Sequence, residues 1–171
     1  LGKIGHDVFG EQIRQSLLSE GVHLECLLTD EHAPSGIAVV PVNAAGQNQI
    51  MVIPGSNGNL SPADVEAQRE VFEQVDAVLL QLEIPIETVL RCAELAQEAG
   101  KVTILNPAPA RNLPAALLNR IDVLTPNEPE ASLLSGMPIS DIASAERVGR
   151  RLLEEVAGHV VITLGAQGAV L

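Results

Sequence analysis

Alternating strand-like and helix-like segments, an almost wholly aliphatic apolar content and a single hairpin-shaped interruption predict an α/β fold. The expected architecture is a Rossmann-like, mostly parallel sheet flanked by helices. The 171 residues suffice for one domain with its own core. Phe9 and Phe72 are the only aromatic residues, with no Trp or Tyr. The core must therefore be built from Leu, Ile, Val and Ala, the composition of parallel strands covered by helices.

Asp7 is placed to cap a first helix whose apolar residues Val8, Ile13, Leu17 and Leu18 lie roughly on one face, with Gly21 as its stop. A strand is expected from about His23 to Leu28, followed by a polar link through Pro34. Gly36 to Val42 and Asn48 to Ile53 are β-rich runs separated by Asn43-Ala44-Ala45-Gly46-Gln47, the pattern of a hairpin. After the loop Gly55-Ser56-Asn57-Gly58-Asn59, Ser61-Pro62 opens a helix with a cap residue and a proline at its first position. Strands follow at about Ala77–Gln81, Val102–Asn106, Ile121–Leu124 and His159–Leu164. Between them come helices from about Ile86 to Ala99 (stopped by Gly100), near Pro114–Arg120, after Asn127, and from about Ser144 to Ala157. Repeated strand–helix–strand order implies parallel strands with right-handed crossovers.

The formal charge of −12 argues against a general nucleic-acid binder, which would carry a basic face and stacking aromatics. Helix N-termini and a bound cation still allow a phosphate-bearing ligand. No apolar run reaches the ~20 residues of a membrane helix. Cys26 and Cys92 form no CxxC pair and read as reduced thiols of a cytoplasmic protein. His6, His23, His32 and His159 lack zinc-site spacing. The start at Leu1 and the end within Gly168-Ala169-Val170-Leu171 fit a segment of a longer chain, and no signal peptide is visible.

Ligands of open α/β sheets bind outside the carboxyl ends of the strands. Four successive strands deliver polar or glycine-containing turns to that edge: Glu83, Asn106-Pro107-Ala108-Pro109, Thr125-Pro126-Asn127-Glu128-Pro129-Glu130 and Thr163-Leu164-Gly165-Ala166-Gln167-Gly168. Gly165 and Gly168 let backbone N–H groups approach a phosphate or base, and Thr163 adds a hydroxyl. Neither GxxxxGK[ST] nor GxGxxG occurs, which disfavours a Walker loop and an NAD site. Asn127 and Glu130 read either as a helix cap with its capping-box partner or as a pair in which Glu130 orders magnesium or its waters. Glu83 reads either as an acceptor for sugar hydroxyls or as an acidic residue before the next helix.

In these strings the sequence resembles the ribokinase-type family of carbohydrate kinases over essentially its whole length. The carriers are Gly5-His6-Asp7-Val8-Phe9-Gly10, Asn106-Pro107-Ala108-Pro109-Ala110-Arg111, the N-x-x-E string at Asn127 to Glu130, and Ile162 to Gly168. The resemblance implies a small β lid that closes over the sugar and often forms a homodimer contact. Residues 36–53 take that place, with residues 1–35 and 54–171 as the α/β core. It further implies Ala38 and Val52 as apolar contacts to the sugar, and Glu83 as a partner of a sugar hydroxyl. Asn127 with Thr163, Leu164, Gly165, Ala166, Gln167 and Gly168 would serve ATP, and Glu130 Mg2+. The implied activity is ATP-dependent phosphorylation of a sugar, D-ribose to D-ribose 5-phosphate in the first instance. Fructose, another sugar or a nucleoside is the alternative acceptor.

The family's early G-G-K-x-x-N sugar motif and later G-A-G-D motif, which carries the base Asp, do not occur in these residues. Most of the monovalent-cation (K+) site belongs to that later region. The resemblance therefore implies an inactive segment of an active kinase. A non-catalytic nucleotide-binding or dimerisation module is the rival reading for these residues alone.

Overall fold

A computed structural model of the chain describes residues 1–171 except 44, 45, 47 and 48. Strand β1 (Gly2–Gly5) leads into α1 (Val8–Ser19) and β2 (Leu27–Asp30), and β3 (Ile37–Val39) pairs with β4 (Met51–Ile53). The short helix α2 (Pro62–Glu66) precedes β5 (Ala77–Leu80), α3 (Ile86–Glu98), β6 (Val102–Leu105), α4 (Ala115–Leu118) and β7 (Val123–Leu124). Helices α5 (Glu128–Ser135) and α6 (Ile142–Leu153) then lead to β8 (His159–Val160), β9 (Ile162–Thr163) and β10 (Ala169–Val170).

Strands β5, β6, β7 and β8 form a parallel sheet in that order, as the strand–helix alternation predicts. Its core is aliphatic. Leu105, Leu124, Val160 and Ile162 meet Val89 and Ala93 of α3, Leu117 of α4, Ala131 of α5, and Val148 and Leu152 of α6. Each such Val, Leu or Ile side chain contributes about 1.5–3 kcal/mol on burial. On its other side α3 buries Cys92, Leu95 and Ala96 against Val65 and Phe72. Burial pushes the Cys92 thiol up to about 11, so it stays protonated and inert at neutral pH. Strands β1 and β2 form a second parallel pair. A cavity of about 380 Å³ is lined by Leu1 and Gly2 at the start of β1 together with Val78, Leu79 and Leu80 of β5. Leu79, mid-strand in β5, is 75 % exposed.

Several expectations are corrected. The strand expected at His23–Leu28 lies at Leu27–Asp30, because Leu27 N–H first closes a turn onto the Leu24 carbonyl before the chain pairs with β1. Helix α1 is capped by Asp7 and stopped at Gly21, but Val8, Ile13 and Leu18 are exposed and only Gly10 is buried. The helix opened by Ser61-Pro62 is short and gives way to a 3-10 turn at Arg69–Glu73. Helix α6 starts at Ile142 rather than Ser144, since Asp141 is its cap and Ser144 the reciprocal partner in the capping box. The last strand is broken at Val161: β8 belongs to the parallel sheet, whereas β9 turns to pair antiparallel with β10. The hairpin is present with shorter strands than expected, in the register Ile37↔Ile53, Ala38↔Val52 and Val39↔Met51. Ala44, Ala45 and Gln47 of its expected turn, and Asn48 of its expected second strand, lie outside the described residues. Among the described residues no helix is long and apolar enough to cross a membrane.

Candidate active site

The parallel sheet aligns its carboxyl ends, and backbone hydrogen bonds tie each following turn to its neighbour. Asn106 N–H donates to Leu80 O, Thr125 N–H to Leu105 O, and Thr163 N–H to Pro126 O. Asn127 and Thr163 form an isolated parallel bridge. Glu83, Asn106, Asn127 and Thr163 are all exposed at this edge. The four turns thus present polar groups along one edge of the sheet.

Glu83 follows β5, and its backbone N–H donates to the side-chain oxygen of Gln81. Its carboxylate has no hydrogen-bond or ion-pair partner among the described residues. A free acceptor of this kind is suited to donors from a ligand. Gln81, which the sequence reading did not single out, orders the turn that carries it.

Asn127 caps α5 as the sequence spacing predicts. Its Oδ1 accepts the Glu130 N–H at 2.9 Å, while its own N–H and Nδ2 donate to Glu130 Oε2 and Oε1 at 2.9 and 3.0 Å. Glu130 is buried, 6 % exposed, and both carboxylate oxygens already carry a donor. The helix cap is therefore formed. Among the described residues no group of three or more His, Cys, Asp or Glu could hold a metal ion. Magnesium commonly keeps several waters and binds through one or two carboxylates plus substrate phosphates. A single engaged carboxylate fits that ion through its water shell and not as part of a protein cage.

The Thr163–Gly168 turn folds on itself. Leu164 N–H donates to Gly168 O, Gln167 N–H to Leu164 O and Gly168 N–H to Gly165 O. It joins β9 to β10 as a glycine turn between two antiparallel strands. Leu164 is buried and anchors the turn, whereas Thr163 and Gly165 to Gly168 are exposed. The N–H groups of Gly165 and Ala166 have no protein acceptor among the described residues. Gly168 sits at φ 89°, ψ −131°, a conformation that only glycine adopts readily.

The sequence profile of the pfkB family carbohydrate kinases matches residues 1–171. The chain belongs to this family of carbohydrate kinases. A ribokinase of Staphylococcus aureus is 37 % identical over 166 residues, covering 97 % of this chain and 55 % of that protein. A deoxyribokinase of Salmonella typhi is 33 % identical over 170 residues, covering 99 % and 56 %. The solved structure of Arabidopsis thaliana ribokinase complexed with ribose and ATP superposes with a TM-score of 0.91 at 31 % identity, covering 99 % of this chain and 55 % of that one. The chain thus spans about half the length of these relatives.

Within this family segment, Asn127, Glu130 and Thr163 to Gly168 come together, and Ala38 and Val52 stand directly opposite each other in the hairpin. No hydrogen bond or ion pair among the described residues joins that hairpin to Glu83. Sequence reasoning gave Asp7 only a capping role and gave Ser35 none, yet the two are joined by two hydrogen bonds. The available signal was Pro34-Ser35-Gly36, a small polar residue between two backbone-restricting ones at the foot of the hairpin.

Proposed function

We propose that the whole protein transfers the γ-phosphoryl group of ATP to a primary hydroxyl of a pentose, D-ribose at O5, with magnesium. The observation that carries this reading is that the Glu83 carboxylate and the Gly165 and Ala166 N–H groups, on the same sheet edge, have no partners among the described residues. On this reading two chemically different subsites, one for hydroxyls and one for phosphate or base, lie towards the two ends of one sheet edge, after β5 and after β8 in the order β5-β6-β7-β8. The ribokinases among the relatives support ribose as the acceptor.

In this reading Glu83 accepts a sugar hydroxyl, and the Thr163–Gly168 turn with Asn127 holds the nucleotide. Glu130 acts on magnesium through its water shell, with Asn127 keeping the carboxylate aimed. Residues 36–53 form a lid over a body made of residues 1–35 and 54–171. Alternation along the strands puts Ala38 and Val52 on one hairpin face and Ile37, Val39, Met51 and Ile53 on the other. The first face covers the sugar. The second, apolar and exposed, contacts a second copy in a homodimer. Phosphoryl transfer relies on positioning and electrostatic stabilisation, and no residue among these is assigned as the base. A monovalent cation such as potassium would be held mostly by other parts of the whole protein, whose expected location is cytoplasmic.

The test is ADP release by the whole protein across an acceptor panel of ribose, 2-deoxyribose, fructose and nucleosides. Ribose should give the highest kcat/KM. A nucleoside or fructose in first place would move the activity to another acceptor, and ADP release independent of any acceptor would remove the kinase reading.

A further inference from the structure

We propose that Asp7 is a positioning residue for the sugar site: it fixes the root of the β3–β4 hairpin and so sets where Ala38 and Val52 stand. The inference rests on the reading of that hairpin as the cover of the sugar. Asp7 Oδ1 accepts the Gly10 N–H at 2.8 Å, which is all that capping α1 requires. The same oxygen accepts the Ser35 hydroxyl at 2.8 Å, and Oδ2 accepts the Ser35 N–H at 2.7 Å. Ser35 Oγ in turn accepts the Gly5 N–H at 3.0 Å, and Ser35 is 2 % exposed. One carboxylate therefore joins the end of β1, the start of α1 and the incoming leg of the hairpin.

The outgoing leg is fixed to the same place. Ser56 N–H donates to Pro34 O at 2.8 Å and its hydroxyl to Lys3 O at 3.0 Å. The two legs cross so closely that a Cβ on Gly36 would lie 2.7 Å from Pro54 O, and one on Gly55 2.4 Å from Pro34 O. Beyond this crossing no hydrogen bond or ion pair among the described residues ties β3 or β4 to the body, and Ile37 to Val39 and Met51 to Ile53 are all exposed. Two short strands exposed on both faces are not stable by themselves, so their orientation is inherited from the root. Ala38 lies three residues from Ser35, about 10 Å along an extended strand. A tilt of roughly 10° at the root would move it by about 1.7 Å over that length, and displacements of ~1 Å are enough to cost a large share of productive substrate positioning. The Gly10 and Ser35 N–H groups hold the Asp7 carboxyl below its ordinary value, so it is ionised and accepting at neutral pH.

The test uses Asp7→Asn and Ser35→Ala in the whole protein. An amide has one acceptor oxygen and cannot take the donors on both sides. Ser35→Ala removes the hydroxyl but leaves the N–H bond to Oδ2. Asp7→Asn should raise the ribose KM at least about tenfold, leave the ATP KM within about twofold, and lower kcat by less than it raises the ribose KM. Ser35→Ala should move the ribose KM in the same direction by about threefold. In both, amide exchange should quicken in the β3 and β4 strands and stay unchanged in β5 to β8. A ribose KM and hairpin exchange unaltered in Ser35→Ala would overturn the proposal even if Asp7→Asn fails to fold, as would a parallel rise of both KM values. Should the wild type phosphorylate no sugar, the kinase reading fails separately, and hairpin exchange alone decides the anchoring.

Discussion

Glu130→Gln separates the helix cap at this carboxylate from the magnesium role proposed for it. In the folded chain Oε1 and Oε2 each accept a hydrogen bond from Asn127 at 3.0 and 2.9 Å, and the residue is 6 % exposed. Glutamine keeps the shape but has one oxygen, so one Asn127 donor must face an NH2 group with little water to replace the lost partner. A hydrogen bond to a charged group is worth about 1.5–3 kcal/mol, and that sets the expected loss. For a unit of this size each kcal/mol corresponds to roughly 2–4 °C in the melting midpoint. The Asn127 Oδ1 cap on the Glu130 N–H at 2.9 Å survives the change, so α5 itself should persist. The assay pairs a thermal melt with a magnesium titration of ribose phosphorylation in the whole protein. The expected result is a lower midpoint together with a higher half-saturating magnesium concentration. An unaltered midpoint would refute the capping geometry. A lowered midpoint with an unaltered magnesium titration would leave Glu130 as a helix cap and remove its role at the metal.

Further predictions concern separate parts of the chain. Glu83→Ala should chiefly raise the ribose KM, because its carboxylate has no partner to lose among the described residues; equal loss for ribose and ATP would contradict the assignment. Gly168→Ala adds a Cβ into open space at φ +89°, so its cost of about 1–3 kcal/mol is backbone strain alone. It should weaken ATP binding and spare ribose, as steady-state kinetics with each substrate varied would reveal. Asp30 is held down to about 2, from 3.8, by the Asn59 amide first and then by the His32 and Ala33 N–H groups. A depressed folded value means that its stabilisation is complete above pH about 3.8 and fades as pH falls through about 2. Asp30→Asn should therefore flatten the acid limb of the melting profile, and a limb of undiminished slope would count against the geometry.

The parallel sheet was legible because its strands are aliphatic runs punctuated by residues with defined backbone needs: Pro85 before α3, Gly100 after it, and Asn127-x-x-Glu130 at the start of α5. The same local character made the strand-end residues visible as a set. What stayed hidden depends on partners distant in sequence. Strand β9 leaves the line of β8 because β10 pairs with it, and nothing in Val160-Val161-Ile162 encodes that change. The β2 boundaries follow from its register with β1, with Gly2 opposite Leu27, whereas Val22 to Cys26 is equally strand-like by composition. In α6, Asp141 and Ser144 are both good cap residues, and only the reciprocal hydrogen bonds decide between them. The Asp7–Ser35 joint spans 28 positions, and each residue alone looks like an ordinary turn or cap residue.

The most direct test of the central claim is amide exchange of the whole protein with ribose alone, with a non-hydrolysable ATP analogue and magnesium alone, and with both. The analogue should slow exchange at Gly165 and Ala166, whose N–H groups have no acceptors among the described residues, and ribose should slow it in the β3–β4 hairpin and the turn around Glu83. Exchange at Gly165 and Ala166 unmoved by the nucleotide, with protection elsewhere, would contradict the placement of the phosphate donor at this edge.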